Sequence, residues 1–159
     1  MTPDAGAPVV REARPQDLPR LAALLRELAQ GGEHPELEPP GLTDGHRSAF
    51  RALAADPRAR VLVLEAGGQV VGTLTVYLLP NLSHGGRPFA LVENVVVADG
   101  ARERGYGRAL MERAVALARE AGCYKLALTS NRRRDAAHRF YEGLGLNHTH
   151  RGYTLEFTD

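Results

Sequence analysis

Apolar residues along the 159-residue chain recur at helical spacing in four stretches, and alternate or run together in six shorter ones. Leu18, Leu21, Leu24, Leu25 and Leu28 make the stripe of a first helix, which Arg14-Pro-Gln-Asp17 starts. Thr43 or Asp44 caps a second helix reaching about Ala55, where Asp56-Pro57 stops it. In a third, Leu110, Ala114, Leu117, Ala118 and Ala121 share one face, while Arg113, Arg119 and Glu120 occupy the other. Gly122 stands where a left-handed residue would end that helix, and a fourth helix runs from about Asp135 to Gly143. Strands are expected over residues 9–13, 60–65, 69–79, 89–97, 124–129 and 152–157, with a tight Gly67-Gly68 turn joining the second and third. Residues 31–41, interrupted by Pro35, Pro39 and Pro40, are a loop. The pattern therefore gives one domain over residues 9–159 behind a flexible, Pro-, Gly- and Ala-rich tail over residues 1–8.

The rest of the chain is organised around residues 93–122. Val95, Val96 and Val97 end a strand, Asp99 and Gly100 turn the chain, and Arg102, Arg104, Gly105, Gly107 and Arg108 precede the third helix. A glycine-rich turn at a helix start presents unpaired backbone N–H groups at the positive end of the helix dipole, which suits phosphate oxygens. The arginines add charge-assisted donors. Glycine at 105 and 107 would let a diphosphate approach the main chain. A dinucleotide-binding turn fits poorly, because the third glycine is replaced by Leu110 and Lys125 stands near the place of the acidic ribose ligand. A phosphate-binding loop of the Gly-Lys-Ser/Thr kind does not occur.

Arg102-Glu103-Arg104-Gly105-Tyr106-Gly107-Arg108-Ala resembles the Gln/Arg-x-x-Gly-x-Gly/Ala signature of the GCN5-related N-acetyltransferases. Asn131 followed by Ala137-His138-Arg-Phe-Tyr141-Glu-Gly-Leu-Gly145 is similar to a second block of that family, with Leu146 where an aromatic residue is usual. The resemblance implies an α/β (α+β) fold with a mixed, mostly antiparallel central sheet, helices on both faces, and strands four and five splayed apart. It also implies acetyl-CoA as co-substrate. Residues 102–108 would grip its diphosphate, the main chain of Val95, Val96 and Val97 its pantetheine arm, and Asn131 and His138 would complete the cofactor site.

Composition narrows the choice. No apolar run is long enough to span a membrane, the N-terminus lacks a secretion signal, and a cytoplasmic protein is expected. A net charge of +1 argues against general nucleic-acid binding. The single cysteine, Cys123, excludes an internal disulfide, and six scattered histidines give no metal-binding spacing. Arg132, Arg133, Arg134 and Arg139 form a basic cluster, either a solvated helix start or a partner for cofactor phosphates.

Acetyl transfer to an amine needs a base, because an alkylammonium has a pKa of about 10, and an acid for the departing thiolate. Glu93, on an apolar strand and one period from Val95, is the candidate base, acting directly or through water. A strand glutamate paired with a nearby arginine is the alternative. Tyr141 is the acid that the resemblance implies; an interfacial tyrosine is the alternative. The acceptor would be a small polar amine, with Arg87 and Arg51 available to an anionic one. Two rival functions remain: acetylation of a peptide N-terminus or lysine, favoured by an acidic surface around His34, Glu36 and Glu38, and non-catalytic acyl-CoA sensing. The resemblance also implies a homodimer, for which Leu78, Leu79 and Leu82 offer an apolar contact.

Overall fold

The computed structural model describes residues 6–131 and 134–157. Of the tail expected over residues 1–8, only residues 6–8 are among them, and they carry no regular structure. Among the described residues five strands, β1 (Val9–Glu12), β2 (Ala59–Ala66), β3 (Gln69–Leu79), β4 (Phe89–Val97) and β5 (Leu126–Leu128), lie in the order of the chain. Every neighbour pair is antiparallel except β4 and β5, which run parallel. The helices are α1 (Leu18–Ala29), α2 (Asp44–Ala55), α3 (Tyr106–Glu120) and α4 (Asp135–Gly143). Thr43 caps α2 by accepting the His46 N–H at 3.3 Å, as its sequence position predicts. Ser83–Gly86 is a turn in which His84 and Gly85 have left-handed φ.

Period-two alternation divides the core. Leu62, Leu64, Leu74, Val76, Ala90 and Val92 face α3 and α4, where they meet Leu110, Met111, Ala114, Ala118 and Tyr141. Val63, Val70 and Val96 face the other way, onto Leu21 and Leu24 of α1. Each fully buried leucine contributes about 1.5–3 kcal/mol relative to exposure, so helices on both faces hold the sheet. At the edge of the α1 layer, Arg11 spans Asp17 at 2.8 Å and Glu65 at 2.9 Å.

The strand expected over residues 152–157 is not formed. Its alternating Tyr153, Leu155 and Phe157 are 88%, 81% and 81% exposed. Alternation gives a chain an apolar side, but a strand also needs a neighbour to pair with, and β5 is only three residues long. Among the described residues, no helix is long and apolar enough to cross a membrane.

Candidate active site

The length mismatch between β4 and β5 creates the site. β5 pairs with β4 only over Ala90, Leu91 and Val92, the last opposite Leu128, whereas β4 continues to Val97. From Glu93 onward, β4 keeps its antiparallel partner β3 on one edge and, among the described residues, has no ladder on the other. An edge without a ladder presents main-chain donors and acceptors to whatever lies beside it. The splay expected between strands four and five is thus a property of the register.

The same strand leads into the glycine turn. After the single turn Asp99–Ala101, Gly105 takes φ +78° at the start of α3, and a Cβ there would meet nothing within 4 Å. Left-handed φ favours glycine by about 1–2 kcal/mol over other residues. No side chain caps α3, so the first N–H groups of this 15-residue helix open outward at its positive end. Arg102 is tied to Asp99 at 2.9 Å and to the Val97 carbonyl at 3.3 Å, and Arg108 to Glu112 at 3.4 Å. Arg104 and Glu103 are exposed, Glu103 with φ +64°. Tyr106 is half-buried between the two cores. At Gly107 a Cβ would stand 3.1 Å from the Phe140 ring, so packing too requires glycine there.

Glu93 is half-buried, and burial raises its carboxyl above the ordinary value. Among the described residues it has no ion-pair partner, so the arginine-paired alternative is not realised. Its expected relation to Val95 is overturned. Asn94 has φ +58° and the ladder slips, Thr75 pairing with Glu93 but Thr73 with Val96. The bulge places Glu93 on the α1 face with Val96, while Val95 packs into the α3 core. Tyr77, unremarked in the sequence, stands diagonal to Glu93, as it pairs with Leu91. Burial first, and the Glu93 charge second, raise its phenol. Tyr141 is 7% exposed within the α3 core, and burial raises its phenol too. Glu93 and Tyr141 therefore lie on opposite faces of the sheet.

Beyond β5, the His138 Nε2 donates to the Asn131 carbonyl at 2.9 Å, holding the connection into α4. The Ser130 hydroxyl, just before Asn131, is enclosed with no hydrogen-bond partner. Within the basic cluster, Arg132 and Arg133 lie outside the described residues. Arg87 donates to the carbonyls of Gly122 and Cys123, both at 3.3 Å, at the C-terminal end of α3. That end lies about 22 Å along the helix from the glycine turn at ~1.5 Å per residue, so Arg87 does not serve the open end of the sheet. The acidic loop is paired within itself and with the chain end, His34 to Glu36 at 3.0 Å and Glu156 at 3.8 Å, and His46 to Glu38 at 3.2 Å. A cleft of about 470 Å³ under α2, lined by Phe50, Leu53, Ala59 and Val61, shares the face of Glu93 but lies across β3 from it.

An antiparallel sheet that ends in one parallel strand, and opens there beside an uncapped helix N-terminus, is the architecture of an acyl-group transferase. The chain belongs to the acetyltransferase (GNAT) family, whose sequence profile matches residues 22–146, and it is an N-acetyltransferase. It is 32% identical over 97 residues to glucosamine 6-phosphate N-acetyltransferase of Trypanosoma brucei brucei, a match covering 61% of this chain and 64% of that one. To aminoalkylphosphonate N-acetyltransferase of Salmonella typhimurium it is 29% identical, over 91% of this chain and 88% of that one. A solved structure from Agrobacterium tumefaciens, provisionally assigned as an acetyltransferase, superposes with a TM-score of 0.83 at 34% identity, covering 94% of this chain and 99% of that one.

Proposed function

We propose that the protein transfers an acetyl group from acetyl-CoA to the primary amine of a small polar molecule, in a ternary complex built on residues 9–159. One observation carries the reading: the unpaired edge of β4 from Glu93 to Val97 runs directly to the open, left-handed Gly105 at the start of α3. That geometry fits a long, amide-bearing arm ending in a diphosphate. The main chain of Val95, Val96 and Val97 would hold the arm. The N–H groups opening α3, with Arg102, Arg104 and Arg108, would hold the phosphates.

Bound acetyl-CoA supplies an acyl carbon already activated by a thiolate leaving group. Glu93 takes the proton of the acceptor's ammonium on the α1 face. Its burial suits that task, since a raised carboxyl is a stronger base than an ordinary one. Tyr141 returns a proton to the departing sulfur from the α3 face; its raised pKa keeps the phenol protonated through neutral pH. Division of base and acid between two faces lets amine and thiolate occupy opposite sides of the gap.

The small-amine assignment is supported by the substrates named for the Trypanosoma and Salmonella relatives. Calorimetric titration with acetyl-CoA and 3′-dephospho-CoA, followed by thiol release with amino sugars, aminophosphonates and basic peptides, tests the proposal. Binding with turnover of a small amine supports it. Turnover of peptides alone would reverse the acceptor assignment, and binding without any turnover would leave a sensor.

A further inference from the structure

Ser130 holds an enclosed hydroxyl with no partner, the one buried side-chain nitrogen or oxygen in that state among the described residues. Such a group is costly to keep in a folded protein unless something else satisfies it. Its position says what that could be. Ser130 follows β5 two residues past Leu128, where the ladder with Val92 ends and the gap opens. Leu126 and Leu128 pack into the α3 core. An extended continuation of β5 would bring Ser130 to that same side, toward Val95 and Tyr141.

One wall of the gap is main chain, the free edge of β4. The opposite wall has no ladder after Leu128, so a polar contact there must come from side chains or isolated main-chain groups. An arm threaded between the walls carries secondary amides, and each amide needs partners once water is excluded. A hydroxyl can turn to donate to an amide carbonyl. We infer that Ser130 is a binding residue for the acyl donor, its hydroxyl donating to an amide carbonyl of the pantetheine arm across from β4. The inference rests on the acetyl-CoA reading above.

The test compares wild type and Ser130→Ala in three measurements: thermal unfolding of the unliganded protein, and calorimetric titration with CoA and with adenosine 3′,5′-bisphosphate, which lacks the arm. Removing an unsatisfied hydroxyl leaves the unliganded unfolding midpoint equal or higher. CoA affinity falls about 3- to 10-fold, the usual range for one hydrogen bond, and affinity for the bisphosphate stays the same. Equal CoA affinity in the two proteins, or an equal loss for both ligands, overturns the assignment. So does a midpoint lowered by several degrees, which would mean that the hydroxyl has a partner inside the protein. Failure of wild type itself to bind CoA is a separate result: it overturns the acetyl-CoA reading, and Ser130 with it.

Discussion

The Phe140 ring covers Gly107 so closely that a Cβ on the glycine would lie 3.1 Å from the ring's Cζ. The second glycine of the Gly-x-Gly turn thus locks α4 onto the first turn of α3. Alanine ordinarily stabilises a helix relative to glycine by about 1 kcal/mol, whereas overpacking costs about 1–3 kcal/mol. Gly107→Ala is therefore expected to lose about 1 kcal/mol in urea denaturation. Combining it with Phe140→Leu should recover part of that loss, because the two sites share one contact. A Gly107→Ala protein more stable than wild type would mean that the ring moves aside freely.

Glu93→Gln separates stability from activity. A carboxyl whose folded pKa lies above its unfolded value destabilises the fold once ionised. That penalty is absent below the unfolded value near 4.5 and complete above the folded one. At pH 8 the glutamine protein should unfold about 1–3 °C higher than wild type, an advantage that vanishes near pH 4. Its kcat/KM should fall about 10²- to 10⁴-fold, the usual contribution of a general base. Unchanged turnover in Glu93→Gln would remove the base from the mechanism.

The β2–β3 hairpin with its Gly67-Gly68 turn and the starts of α2 and α3 were legible because each rests on local chemistry: alternation, a Thr43 cap, a glycine-rich turn. The glutamate at the gap was legible too, but not which neighbour shares its face. The slip at Asn94 lies between Glu93, which pairs with Thr75 of β3, and Val96, which pairs with Thr73, and two-residue periodicity along one strand cannot reveal it. Residues 152–157 fail as a strand for a related reason, since pairing is a property of two segments. Ser130 gave no signal in the sequence; an unsatisfied hydroxyl exists only once its surroundings have folded.

Tyr141→Phe removes one oxygen from a residue that is 7% exposed. A purely packed tyrosine would lose little, since the ring stays in the core. As proton donor to the leaving sulfur, its loss should lower kcat about 10- to 100-fold with the KM for acetyl-CoA and the unfolding midpoint nearly unchanged. Because burial lifts the phenol above 10, the wild-type rate should show no alkaline decline from this group at or below pH 9. Steady-state kinetics from pH 6 to 9 checks both statements, and a full-rate phenylalanine protein would assign the tyrosine to packing.

Arg11 and Asp17 join β1 to the start of α1 through two hydrogen bonds, at 2.8 and 3.0 Å, with the Asp17 side chain only 10% exposed. The bond from Arg11 is the main reason that the Asp17 carboxyl titrates below its ordinary value near 3.8. Asp17 also accepts the Arg14 N–H at 2.7 Å, so one carboxylate both anchors the arginine and closes the single turn, Pro15–Asp17, that leads into α1. Breaking a buried pair from one side costs about 3–5 kcal/mol when the remaining charge is stranded. Here Glu65 still holds Arg11 at 2.9 Å, so Asp17→Asn should cost less, about 2 kcal/mol at pH 7. A folded pKa below the unfolded one stabilises the native state above the unfolded value, and that stability disappears as pH falls through the folded value. The stability gap between wild type and Asp17→Asn should therefore be constant from pH 5 to 8 and narrow below pH 4. Urea denaturation across that range measures it, and a gap that persisted undiminished at pH 2.5 would mean that the lost stability is not that of the ionised pair.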